Sequence, residues 1–223
     1  MDIDLSILFI DEHLLAVNKP AGLLTLPDGY DQLAPCLINL LKQQYDRVWV
    51  VHRLDKETSG VIVFARTAEI HRALNLAFDS RQVHKVYHAI VLGVPLWDEH
   101  TIDLPLRPDG DRRHRTVIDR ARGKPAVTHV RVLERFASHG VPHTLIEARP
   151  ETGRTHQIRA HLAAINLPLA GDALYGGKAT LIERVALHAC TIDFAHPVTH
   201  EPLHVEAPYP SDFTQALQQL RGR

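Results

Sequence analysis

The sequence predicts an α+β fold, a single domain built on a largely antiparallel mixed sheet flanked by helices and loops. Three observations carry that expectation. Short apolar, mostly β-branched runs of strand length recur along the chain. Most of them follow one another without the crossover helix that parallel neighbours need. No internal repeat, low-complexity tract or Ser/Gly linker marks a boundary, and 223 residues suit one large domain with a real core.

The elements follow in order. Leu5–Ile10 and Leu14–Asn18 read as strands joined by Asp11-Glu12-His13, and Lys19-Pro20-Ala21-Gly22 closes the second in a tight turn. Apolar residues at 33, 37, 40 and 41 form one face of a helix over Gln32–Tyr45, with Pro35 in its first turn. Trp49–Val51 and Val61–Ala65 are short strands around a polar loop. Thr67–Gln82 carries a helical stripe at Ile70, Leu74, Ala77 and Phe78 with Thr67 as N-cap. Lys85–Val94 is a strand, followed by a polar loop or hairpin from Arg107. Val127–Phe136 and His143–Pro150 pair around SHGVP. HQIRAHLAAI is a short helix; Val185–Phe194 and Leu203–Ala207 are strands, and Ser211–Leu220 is a terminal helix capped by Ser211.

Composition narrows the function. The chain is 45% hydrophobic and 23% charged, and no apolar run approaches the roughly 18 residues of a membrane helix. The acidic start MDIDLSILFIDEH has neither the basic opening nor the small-residue cleavage site of a secretory signal, so a cytoplasmic protein is expected. Cys36 and Cys190 form no CxxC pair and are expected to be buried free thiols. A net charge of −1 argues against a nucleic-acid partner, but its distribution does not. Arg107–Lys124 holds seven Lys or Arg against three Asp, an excess of four that suits phosphates. A solvated loop is the plainer reading of charge alone.

With 16 histidines, a metal site is the first chemistry to weigh. His156 and His161 share a short helix, but five residues at about 100° each leave their rings about 140° apart. They do not chelate one ion, and no zincin or calcium-loop spacing occurs elsewhere. His156 and Arg159, three apart, share a face.

VVHRLDKETSGVIVFA (50–65) sets charged residues between two apolar runs. A lone loop aspartate is ordinarily solvated or a cap. Asp55, however, lies between strands, beside Arg53, with Thr58, Ser59 and Gly60 able to fold tightly behind it. Burial alone would neutralise a carboxylate, whereas a guanidinium keeps it ionised and usable as a nucleophile.

HRLDKETSG (52–60) resembles the HRLDxxTSG signature of the RluA family of pseudouridine synthases. NKPAGLL (18–24), KVYHAIV (85–91), TGRTHQIRAHL (152–162), GDALYG (171–176) and LHA with HP (187–197) are similar to that family's further motifs, in order. The resemblance runs from about Ile7 to Pro208. It implies a catalytic domain with a central active-site cleft. It also implies isomerisation of uridine to pseudouridine in structured RNA, without cofactor or metal, by a monomer.

By position, the resemblance makes Asp55 the nucleophile, adding to C6 of uracil or to C1′ of ribose. It sets Tyr87 to stack on the extruded base near the C5 proton, and Arg159 to pair with Asp55. Leu187 would form the apolar wall opposite Tyr87, and Arg53 would replace the flipped nucleotide. His52, Lys85 and Arg154 are further substrate-binding candidates, with loop or pocket support as the other role for His52 and Lys85; Tyr175 supports the pocket. Independently, a base must leave the stack before chemistry, and an aromatic platform with an inserted Arg offsets that cost.

The family's N-terminal S4 domain has no room before Ile7. Length and direct start resemble members acting on a 23S ribosomal RNA loop and a tRNA anticodon stem-loop, with a tRNA-only relative of the TruC type as the alternative. The rivals are a non-catalytic RNA-binding factor and a nucleoside or glycoside hydrolase. The hydrolase would want a second carboxylate, for which Glu57 and Glu151 are the candidates.

Overall fold

The sequence alternation predicted above becomes twelve strands and four helices in a computed structural model that describes residues 5–27, 34–136, 141–179 and 181–222. They fall into two compact units, one of residues 1–85 with 189–208, the other of residues 86–188 with 209–223. Strands β5 (His84–Leu92) and β11 (Leu187–Ala195) each carry the chain from one unit to the other.

In the first unit, β1 (Ser6–Ile10), β2 (Leu14–Lys19) and β4 (Ser59–Ala65) pair antiparallel in sequence, with β3 (Trp49–Val50) on β4. Every residue of β4 is buried, which is why SGVIVFA reads as a continuous apolar run rather than an alternation. Gly60 is indispensable there. Its φ is +114°, and a Cβ would stand 2.1 Å from the carbonyl oxygen of Ala189 on β11. β11 pairs with β12 (Pro202–Glu206). The HP motif closes this unit: His196 Nδ1 accepts from the N–H of Val198 and Thr199, so its Nε2–H donates to the Asp11 carboxylate at 2.9 Å.

Helix α1 spans Leu37–Gln44, shorter than expected. Residues 32 and 33 lie outside those described, and Pro35 precedes the helix rather than sitting in its first turn. Cys36 is extended and bridges to Leu24, so helical turns begin only after it. The first helical N–H groups, of Leu37 and Ile38, donate to the carbonyls of Leu24 and Thr25 instead of to a capping side chain. Helix α2 (Ala68–Asp79) is as expected, with Thr67 Oγ1 accepting from Ile70 N–H and Ile70 and Leu74 buried.

In the second unit, β5 pairs with β10 (His143–Pro150), β10 with β9 (Val127–Phe136) and β9 with β6 (Glu99–Asp103), all antiparallel. Residues 138–140 of SHGVP lie outside those described. β6 escaped the sequence reading because EHTID buries only Ile102 and has no apolar alternation. The basic segment is a hairpin of β7 (Leu106–Arg107) and β8 (Val117–Ile118). Helix α3 (Gln157–Ala164) packs Ile158 and Leu162 into a core of Ala89, Val91, Val130 and Ile146. Helix α4 (Ser211–Leu220) packs Phe213, Ala216 and Leu217 against Ile90 and Leu145.

Ser211 does not cap α4. Pro210 holds the cap position with no side-chain bond, and Asp212 takes over at the helix start, accepting from Phe213 N–H and binding Arg184 through both oxygens. Neither cysteine is in a disulfide, and both are buried. Among the described residues no helix is long and apolar enough to cross a membrane.

Candidate active site

Asp55 sits, half-buried, on the loop between β3 and β4, with Leu54 buried before it and Thr58, Ser59 and Gly60 buried after it. The backbone behind the carboxylate is tightly bonded. Thr58 N–H donates to the Asp55 carbonyl at 3.1 Å, and Gly22 N–H donates to that of Lys56 at 2.8 Å. The Lys19 ammonium, 0% exposed, donates to the carbonyls of Pro20 and Leu23 at 2.8 Å and of Lys56 at 3.1 Å. A buried charge is tolerable only when its protons are satisfied, and here three carbonyls do so. The KPAG turn is thereby welded to the HRLDKETSG loop. Nothing in the sequence showed that Lys19 would be buried, beyond its place at the end of a strand buried on both faces.

Arg53 is exposed. His52 is built into the fold: its Nε2 accepts from Val63 N–H at 3.0 Å, and its ring lies 4.9 Å from that of Phe78. This is the loop-support role of the two read for it. Burial, with the Lys85 charge adding to it, pushes the imidazole down to about 3. Lys85 has its own ammonium 5.8 Å from the Phe78 ring centre, and burial lowers its pKa too.

A pH dependence follows. Unfolded His52 takes up a proton near pH 6.5, whereas the folded residue waits until about 3. Between those values the unfolded state binds more protons, so stability is full above 6.5 and falls with pH by up to about 1.4 kcal/mol per unit. Denaturation at pH 7, 6 and 5 is expected to show that slope. His52→Gln, whose amide oxygen can accept from Val63, is expected to flatten it; an unchanged slope would remove His52 as its source.

In the second unit, Tyr87 of β5 pairs with Ala148 of β10 and packs, half-buried, on the core cluster to which Leu187 belongs. Its neighbour His88 bonds from the opposite face of the strand to the Tyr209 hydroxyl, so the alternation read from KVYHAIV holds. Leu187 is 4% exposed and belongs to that core.

Arg159, on α3, is no surface arginine: it is 7% exposed. Its Nε and Nη2 donate to the two oxygens of Asp172 at 2.7 and 2.9 Å, and its guanidinium lies 5.1 Å from the Tyr175 ring centre. Asp172 is itself 1% exposed and also accepts from Tyr175 N–H. The Tyr175 hydroxyl accepts from Thr116 N–H and donates to the Thr116 carbonyl, and burial raises its pKa so that it stays a donor. The bidentate fork fixes the guanidinium plane. Within the GDALYG motif, Asp172 gives no sign in the sequence of its partner 13 residues upstream.

His156 precedes α3 in the left-handed conformation and places Nδ1 3.2 Å from the Tyr175 hydroxyl. His161 is bonded away from it, Nε2–H to the Leu104 carbonyl and Nδ1 to Thr128 Oγ1, both at 2.9 Å. Arg154 is exposed, with Nε donating to the Pro125 carbonyl. In the basic hairpin, Arg107 pairs with Asp119 and Arg115 with Asp111. Backbone N–H groups, then these guanidinium groups, hold both carboxylates below their usual range. Asp111 and Asp119 are spent inside the hairpin, Asp109 is exposed beside His114, and Arg112, Arg113, Arg120, Arg122 and Lys124 are exposed cations.

The chain is similar to known proteins over most of its length. The RNA pseudouridylate synthase family pattern matches residues 13–164, from the β1–β2 turn to the end of α3. A ribosomal large subunit pseudouridine synthase D of Xanthomonas campestris is 42% identical over 99% of this chain and 70% of its own length. The dual-specificity RNA pseudouridine synthase RluA of Vibrio vulnificus is 41% identical over 87% and 79%. Among solved structures, human RNA pseudouridylate synthase domain containing 1 superposes with a TM-score of 0.78 at 27% identity, covering 99% of this chain and 96% of that one. The clamped aspartate loop and the buried HQIR arginine thus stand within the region matched by the family pattern, and the chain belongs to the RNA pseudouridylate synthase family, isomerases that convert uridine in RNA to pseudouridine.

Proposed function

We propose that this enzyme modifies a uridine in a structured loop of ribosomal large-subunit RNA, with Asp55 as its nucleophile, acting as a monomer in the cytoplasm. The observation that carries the catalytic part is the half-exposed Asp55 carboxylate on a loop whose backbone is bonded at consecutive positions. Such a loop can hold an attacking oxygen in one direction without prior reorganisation. The substrate part is supported by relatives at 42% and 41% identity whose names specify the ribosomal large subunit.

In the reaction, Asp55 adds to C6 of uracil or to C1′ of ribose, and the N1–C1′ bond breaks. The ring turns and joins C1′ through C5, the bond to Asp55 breaks to return the carboxylate, N1 takes up a proton, and the C5 proton leaves to solvent. Tyr87 offers its ring as the platform for the flipped base, Leu187 backs the pocket, and Arg53 fills the gap in the stack. Arg159, oriented by Asp172, pairs with the Asp55 carboxylate. Arg154 and the exposed cations of the basic hairpin contact the RNA backbone, while Lys85 supports the pocket. The 41% identity to a relative named for dual specificity favours a second RNA substrate, for which a tRNA anticodon stem-loop is the candidate.

Deleting the gene and mapping pseudouridine in ribosomal and transfer RNA tests the substrate. Loss of a large-subunit position, restored by the wild type and not by Asp55→Asn, is expected; loss confined to tRNA would overturn the ribosomal assignment. In the Asp55→Asn background, Tyr87→Ala is expected to weaken binding of the substrate stem-loop by about 1–3 kcal/mol, and Tyr87→Phe to leave it nearly unchanged. Equal binding by the two in a filter assay would remove the stacking role.

A further inference from the structure

Thr25 lies beyond the KPAG turn and, at 3% exposure, inside the first unit. Its hydroxyl makes both bonds available to it with one residue: Oγ1 donates to the Leu54 carbonyl at 2.9 Å and accepts from Leu54 N–H at 3.3 Å. Leu54 is the residue immediately before Asp55, and its side chain is 4% exposed. A single side chain 29 residues upstream thus grips both peptide groups flanking the Leu54 Cα. With Thr58 N–H on the Asp55 carbonyl, and Gly22 N–H and Lys19 on that of Lys56, three successive carbonyls around the aspartate each have a donor. Of these clamps, Thr25 is the one on the N-terminal side.

We propose that the Thr25 hydroxyl is a positioning residue for the isomerisation, fixing the Leu54 peptides and through them the direction in which the Asp55 carboxylate leaves the loop. The inference rests on Asp55 being the nucleophile. The physical reason is leverage. The two torsions at Leu54 set where the next Cα–Cβ bond points, so a small rotation there swings the carboxylate by a large fraction of an ångström. A misplacement of about 1 Å can cost about 100-fold in rate. The hydroxyl suits this role because valine has the same shape with neither donor nor acceptor, while serine retains both.

The test compares Thr25→Val, Thr25→Ser and Asp55→Asn in single-turnover pseudouridine formation on one stem-loop RNA, with RNA affinity and urea denaturation measured on each. Thr25→Val is expected to lower the rate at saturating enzyme about 10–100-fold, with RNA affinity within about threefold of wild type. Thr25→Ser is expected to recover most of the rate. If Thr25→Val does not fold, Thr25→Cys, close in size with a weaker donor, is read in its place, and an intermediate rate loss is expected. A Thr25→Val rate equal to wild type, or a loss matched by the unfolded fraction and by weaker RNA binding, would overturn the positioning role. Full activity in Asp55→Asn would instead sink the nucleophile reading on which it stands.

Discussion

Asp55→Asn is expected to reduce pseudouridine formation by at least about 10⁴-fold, the scale seen when a nucleophile is removed. The variant should remain folded. What holds the loop at this position is backbone bonding: Thr58 N–H on the Asp55 carbonyl, the two bonds from Thr25 to Leu54, and Gly22 and Lys19 on Lys56. Asparagine keeps the shape and all of these. A substitution at a half-exposed loop position is expected to shift stability by no more than about 1 kcal/mol. Rate and denaturation midpoint should therefore separate cleanly. A large loss of stability together with activity would make Asp55 a structural residue.

Asp172→Ala is expected to act in the opposite way, on the fold first. Arg159 and Asp172 are 7% and 1% exposed and share two charge-assisted bonds at 2.7 and 2.9 Å. Removing one partner of a buried ion pair costs about 3–5 kcal/mol, because the other charge loses its compensation far from water. Asp172 also accepts from Tyr175 N–H, so the loss reaches the loop that carries Tyr175 against Thr116. For a chain of this length each kcal/mol is worth about 2–4 °C, so calorimetry should show a melting temperature lowered by about 6–20 °C. Asp172→Asn, which keeps an acceptor but no charge, should fall between. A shift below about 2 °C would show that the pair contributes little net stability.

These two residues also mark what the sequence could and could not say. Asp55 was legible because HRLDKETSG is local: charge, turn residues and flanking β-branched runs stand within sixteen positions. Most strands were legible for the same reason, since burial imposes alternation or continuous apolarity on neighbouring residues. Strand β6 was not, because Glu99–Asp103 pairs only through β9 and presents charged side chains outward. The burial of Arg159 was invisible because it depends on Asp172, which comes from a later loop. The same holds for Thr25, whose partner lies 29 residues away, and for Lys19, one of whose three acceptors lies 37 residues away. Helix starts failed where backbone pairing outside the helix intervened, as at Cys36, or where proline displaced the expected serine cap, as at Pro210. Side-chain polarity in such places reports a partner that only the fold brings near.

If Asp55 drives an isomerisation in which uridine C5 loses its proton, RNA tritiated at uridine C5 reads that step alone, as tritium released to water. Release by the wild type in step with pseudouridine formed is expected, and none above background from Asp55→Asn. Release by Asp55→Asn at the wild-type rate, or free uracil from the wild type without release, would contradict it.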